Sequence, residues 1–122
     1  LDELVSKTTT HNLMADDTIK CIPVNFVRGM TFNNSFVIVD EAQNMDRGEL
    51  ATILTRFGHH SKYAGIGDST PADIGSKSGF AGVLKAFNDR ECEENGIHTF
   101  NFTENDIVRS KILKLITRKL SV

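Results

Sequence analysis

Apolar residues along this chain gather in short runs separated by helical periods, with Gly, Pro, Asn and Asp between them. Residues 1–15 carry the apolar pairs Leu4-Val5 and Leu13-Met14 and predict a weak helix. Ile19 to Ile22 reads as a short strand, stopped at Pro23, which brings no backbone donor. Val24 to Ser35 has no period and reads as a loop holding Arg28-Gly29. Phe36-Val37-Ile38-Val39 is a continuous apolar run ending at Asp40, the pattern of a strand buried on both faces of a parallel sheet. The next helix is well marked. Asp46 can cap it and Glu49 stands three residues later, where a capping-box partner belongs. Leu50, Ile53, Leu54 and Phe57 then form one apolar stripe, and Gly58 ends it. Lys62 to Ile66 predicts a second strand that closes at Gly67-Asp68, followed by a Ser/Thr/Pro/Gly loop over 69–77. Phe80, Val83, Leu84 and Phe87 make a further helical stripe. Ile97 to Phe102 alternates like a third strand, and a last helix starts near Asp106, striped by Val108, Ile112, Leu115 and Ile116.

This order of elements predicts an α/β, three-layer architecture around a mainly parallel sheet. Composition does not alter the picture: 39% of the residues are hydrophobic and 25% charged, which is ordinary for a globular chain. A length of 122 residues limits it to a single domain, able to bury about two-thirds of its unfolded surface. The net charge of -2 gives no overall pull toward nucleic acid or membrane, although a local basic stripe remains compatible with it. Cys21 and Cys92 stand far apart in no metal-type spacing and read as reduced thiols of a cytoplasmic protein. No apolar stretch reaches membrane-spanning length.

Candidate chemistry sits where strands end. Four apolar residues followed at once by Asp40 and Glu41 place two carboxylates at the carboxyl end of a buried strand, where open α/β sheets bind ligands. The first can hold Mg²⁺ and the second can polarise a water, with Gln43 two residues on and in reach of the same water. The plain alternative is a strand that ends in solvated acids. Gly67-Asp68 repeats the design on the next strand. A helix between two parallel strands forms a right-handed crossover that sets their ends side by side. The plain alternative there is a turn. In the third string, Phe102-Thr103-Glu104-Asn105-Asp106-Ile107-Val108-Arg109, the arginine fork of Arg109 suits phosphate oxygens. A surface arginine in a first helical turn would read the same way.

Taken together with Phe26-Val27-Arg28-Gly29-Met30-Thr31, Leu54-Thr55-Arg56-Phe57-Gly58 and Lys77-Ser78-Gly79, these strings resemble the PhoH family of P-loop ATPases, relatives of the superfamily-1 helicases. The resemblance runs from about Ile19 to Leu120. It implies a partial P-loop NTPase (RecA-like) core, with 1–122 as the C-terminal part of a PhoH-like ATPase domain. It also implies ATP and Mg²⁺ as ligands. Asp40 and Glu41 match the Walker B pair, Asp40 as metal ligand and Glu41 as the catalytic acid. Gln43 matches the glutamine of the same motif and Asp68 a nucleotide sensor. Arg109 matches an arginine that contacts the γ-phosphate. Arg28 and Thr31 match a segment near single-stranded nucleic acid, so RNA or single-stranded DNA is the implied partner, with a homo-oligomeric ring in the intact protein.

Two departures stand out. The family's third motif reads Gly-Asp-x-Thr-Gln, and here Pro71 takes the glutamine position and brings no side-chain amide to couple nucleotide state to movement. No Gly-x-x-x-x-Gly-Lys-Ser/Thr string is present. Before Lys77-Ser78 the two glycine positions hold Pro71 and Ser76. With Leu1 in place of a starting methionine, the expectation is a fragment lacking the Walker A segment, inactive alone. The rival expectations are a degenerate module that binds nucleic acid or protein without hydrolysis, and a nuclease using Asp40, Glu41 and Asp68 as metal ligands. His59-His60 reads as a polar turn, and the basic cluster Lys111, Lys114, Arg118 and Lys119 as the ordinary bias of a last helical turn.

Overall fold

The computed structural model describes residues 4–68 and 75–103, and beyond them residues 106, 108, 112, 115, 116 and 119. It divides into two compact units, Leu1–Val83 and Leu84–Val122. The first holds a parallel pair, β1 (Phe36–Val39) and β2 (Lys62–Gly65), in register from Phe36 opposite Lys62 to Val39 opposite Gly65. This is the α/β arrangement with a parallel sheet that the alternating pattern predicts. Among the described residues the sheet has two strands.

Parallel strands need a crossover, and here it is the helix α2 (Arg47–Leu54). Its start is the expected capping box: the Asp46 carboxylate accepts the Glu49 N–H at 2.9 Å, and the Glu49 carboxylate accepts the Asp46 N–H at 2.9 Å. Leu50 and Ile53 are buried from its inner face, alongside Val27, Val39, Ala42 and Phe80. The helix stops earlier than the stripe suggests. Thr55 caps it, and Phe57 leaves the helix to bridge Phe32, whose N–H donates to the Arg56 carbonyl at 3.0 Å. Gly58 serves this crossing of chains and does not end the helix, since a Cβ there would lie 2.7 Å from the Phe32 carbonyl carbon.

A dense corner of hydrogen bonds fixes the beginning of both strands. Asn33 Oδ1 accepts the His59 N–H at 2.8 Å, and the Asn34 N–H donates to the His59 carbonyl at 2.8 Å. Buried Ser61 donates to the Phe32 carbonyl at 2.6 Å and accepts the Ser35 N–H at 3.1 Å.

Several expectations are corrected. β1 is not covered on both faces: Phe36 and Ile38 are 67% and 58% exposed, because strand alternation turns them to a side where no described element packs. Ile19 to Ile22 is no strand. The Ile19 N–H closes back onto the Leu13 carbonyl at 2.9 Å, finishing the helix α1 (Lys7–Ala15) instead of joining a ladder. The predicted loop 24–35 contains a single 3-10 turn, Val24–Phe26.

In the second unit, α3 (Phe80–Ala86, begun in the first) is followed by a five-residue helix α4 (Arg90–Glu94) that the apolar pattern did not signal. Asp89 caps it by accepting the Cys92 N–H at 2.8 Å, a bond that holds the Asp89 carboxyl below its usual range. Ile97 to Phe102 is not a strand either. Its alternation has no described partner to pair with, and Phe100 and Phe102 remain exposed. Of the expected last helix, Ile112, Leu115 and Ile116 are helical, whereas Val108, the first residue of its stripe, is outside any helix and exposed.

Tyr63 on β2 gives a stability prediction. Its ring packs against Phe57 at 5.1 Å and edge-on to Phe32 at 6.5 Å, while its hydroxyl is buried with no hydrogen-bond partner. Tyr63→Phe removes that unsatisfied group and should raise the unfolding free energy by about 1 kcal/mol in urea titrations. Burial pushes the Tyr63 phenol up. The folded state therefore resists ionisation that the unfolded state undergoes near pH ~10. This part of the stability is present below that pH and is lost as pH rises through the raised value. The Phe variant should lack that alkaline loss.

Candidate functional site

The first unit's ladder does not stop with the strands. The Ile66 N–H donates to the Val39 carbonyl at 2.8 Å, and the Ala42 N–H donates back to the Ile66 carbonyl at 2.9 Å. To reach Ala42 in that position the chain must turn sharply after Asp40. Glu41 makes the turn in the left-handed region, at φ 52° and ψ 39°. Ala42 is fully buried and opens a 3-10 turn, Ala42–Asn44. Ala42 takes the buried place, and Asp40 and Glu41 just before it are both exposed.

The polar groups then connect in a short chain. Asp40 Oδ1 accepts the Glu41 N–H at 3.0 Å. Gln43 Nε2 donates to Glu41 Oε2 at 2.6 Å, and Gln43 Oε1 accepts the Asp68 N–H at 3.0 Å. The ends of β1 and β2 are thereby tied through one side-chain amide. Two glycines permit the packing. A Cβ at Gly67 would lie 2.8 Å from Phe80 Cε1 and 2.9 Å from Gln43 Oε1. Gly79, whose N–H donates to the Met45 carbonyl at 2.9 Å, would set a Cβ 2.8 Å from the Asp46 carbonyl carbon. The sequence reading missed both roles. The signal was available in the Gly67-Asp68 and Lys77-Ser78-Gly79 strings, where a glycine flanks a polar residue at the end of an element.

Asp40, Glu41, Gln43 and Asp68 therefore share one end of the sheet. Arg109 lies outside the described residues, as does Pro71. Thr31 is at the other end, where the strands begin. With Asn33, Phe57, Gly58, His59 and His60 it lines an open groove of about 450 Å³. Arg28 is exposed in the turn just before it. The Asp89 hydrogen bond and then desolvation push the Cys92 thiol up.

Among the described residues no three His, Cys, Asp or Glu side chains gather as a metal site. Asp40, Glu41 and Asp68 thus do not form a protein-only cage, the set a metal-dependent nuclease would use. One or two exposed carboxylates suit Mg²⁺ held jointly with phosphate oxygens and water, and Asp40 fits that use.

Comparison with known proteins agrees with these strings. Residues 1–121 match the family described as PhoH-like protein. A PhoH-like protein of Synechocystis is 34% identical over 118 residues, covering 95% of this chain and 35% of that protein. One of Bacillus subtilis is 31% identical over 121 residues, covering 95% and 36%. Protein PhoH of Escherichia coli K12 is 33% identical over 96 residues, covering 77% and 26%. The chain spans about a third of the length of the first two relatives.

The left-handed Glu41 is open to direct test. A non-glycine residue there costs about 1 kcal/mol, so Glu41→Gly should leave the fold as stable or stabilise it by about 0.5–1 kcal/mol. A β-branched Glu41→Val should destabilise it by about 1–2 kcal/mol. Urea unfolding of the two variants checks the pair.

Proposed function

This chain belongs to the PhoH-like family, and from that premise we propose that it carries the metal- and water-handling side of an ATP-hydrolysing site. The observation that carries the reading is the Gln43 amide spanning Glu41 and the Asp68 N–H, which sets acid tips of neighbouring parallel strands against one another. Open parallel sheets bind ligands at that end.

On this reading residues 1–122 are the C-terminal part of a RecA-like P-loop core. The phosphate-gripping loop comes from outside these residues, since their sequence holds no Gly-x-x-x-x-Gly-Lys-Ser/Thr string. Asp40 holds Mg²⁺, which when bound neutralises charge on the phosphates. Glu41, exposed at the sharp turn, orients a water and takes its proton. Gln43 lies beside that water, and Asp68 registers whether a γ-phosphate is present. Arg109 supplies a positive fork toward developing charge. Hydrolysis serves movement on RNA or single-stranded DNA, with Arg28 and Thr31 on the nucleic-acid side and several copies assembled in a ring.

Nucleotide turnover tests the reading. The product of the complete reading frame should hydrolyse ATP only with Mg²⁺, and Glu41→Gln should lower kcat by about 10²–10⁴-fold, the range for losing a general base. The 122-residue chain alone should show no turnover. Hydrolysis by that chain alone, lost on Glu41→Gln, would overturn the division of the site. Full activity in the Glu41→Gln product would overturn the assignment itself.

A further inference from the structure

We propose that Gln43 is a positioning residue that clasps the Glu41 carboxylate to the tip of β2, and that Gly67 is the residue that makes room for the clasp. The inference rests on the site reading above for its consequence in catalysis, but its geometry stands without nucleotide.

The orientation of the amide is fixed from both sides. The Asp68 backbone N–H can only donate, so it meets the carbonyl oxygen, at 3.0 Å. The Glu41 carboxylate accepts, so it meets the amide nitrogen, at 2.6 Å. Glutamine suits this place because one planar group presents an acceptor and a donor. Glutamate could accept from Asp68 but would repel Glu41, and methionine could serve neither. Donation to a carboxylate is the stronger kind of hydrogen bond, so this contact decides where the Glu41 side chain points. Gln43 is half-buried while Glu41 and Asp68 are exposed, so the residue that makes the link is less exposed than either of the two it joins.

Gly67 completes the arrangement. A Cβ there would approach Gln43 Oε1 at 2.9 Å, the Gln43 backbone nitrogen at 3.1 Å and Phe80 Cε1 at 2.8 Å. Phe80 is buried and the Gln43 nitrogen belongs to the 3-10 turn behind Glu41. The group that can give way is the Gln43 amide. An alanine at 67 would thus push the amide off the Asp68 N–H without touching Glu41. Because the link runs through a backbone N–H, any shift of the β2 tip is passed to the Glu41 carboxylate.

The test has two arms. In ¹⁵N NMR of the 122-residue chain without nucleotide, Gln43→Met and Gly67→Ala should each speed hydrogen exchange of the Asp68 amide by about tenfold or more, as loss of one hydrogen bond implies. Gln43→Glu should leave that amide protected, since a carboxylate oxygen still accepts. In steady-state hydrolysis by the complete reading-frame product, Gln43→Met, Gln43→Glu and Gly67→Ala should each lower kcat about 10- to 100-fold, as expected for a misaimed catalytic group. KM for ATP should stay within about twofold, and the Gln43→Met/Gly67→Ala double variant should be no worse than either single one. Unchanged Asp68 exchange in Gln43→Met would overturn the clasp. So would a raised KM in Gln43→Met beside wild-type kinetics in Gly67→Ala, which would put Gln43 on the nucleotide. If no product hydrolyses ATP, the proposed function fails while the exchange arm still decides the clasp.

Discussion

The hydrogen bond from the Ala42 N–H to the Ile66 carbonyl, 2.9 Å long, is the constraint on which the site depends. It continues the parallel ladder one step past the strands, after the chain on the β1 side has already turned away. Such a bond requires the turn to be completed within Asp40 and Glu41. That requirement sends Glu41 into left-handed backbone and Ala42 into complete burial. The two carboxylates then have one place to go, outward at the strand ends. Backbone geometry sets the side on which their charge lies, and the Gln43 amide then aims the Glu41 carboxylate.

The beginning of the strands is secured by different means. Ser61 bridges Phe32 and Ser35, and Asn33 and Asn34 bracket His59. A two-stranded parallel pair has little stability of its own, and apolar cover is thin on the side of Phe36 and Ile38. Fixing both ends of the pair compensates for that. The capping box of α2 also holds the crossover to the short span between Asp46 and Thr55. Gly79 lies against the start of that helix with no room for a side chain. Gly79 is thus held at the same place from which α2 departs.

What could be read from sequence follows from how local each signal is. The capping box needs only Asp46 and Glu49, three residues apart, and the structure bears it out. β1 carries its own apolar run and both strands end sharply at acidic residues, so both strands and their acid tips were legible. Ile97 to Phe102 has the same alternation, but a strand exists only with a partner, and alternation does not supply one. Ile19 to Ile22 failed for a related reason, since its first N–H is spent on closing α1. The end of α2 was misread because Phe57 fits the helical stripe and the bridge to Phe32 equally well. Gly67 was read as a turn residue, whereas its contacts with Gln43 and Phe80 are between segments distant in sequence.

The charge arrangement has a consequence for ligand binding. Among the described residues, ion pairs join Lys20 to Asp17 and Arg90 to Glu94, and none reaches Asp40 or Glu41. A carboxylate neutralised by a lysine or arginine would have to break that pair before binding a cation. Here Asp40 accepts from a backbone N–H and Glu41 from a neutral amide. These donors hold the oxygens in position while leaving the negative charge uncompensated. Oxygens held this way can accept a cation without first breaking an ion pair, which is what the proposed function asks of Asp40. The cost of leaving the two acids without an ion-pair partner among the described residues is small because both are exposed, where isolated charges are well hydrated. A surface position, which would be a poor place to gain stability from charge, is for the same reason a suitable place to keep charge available.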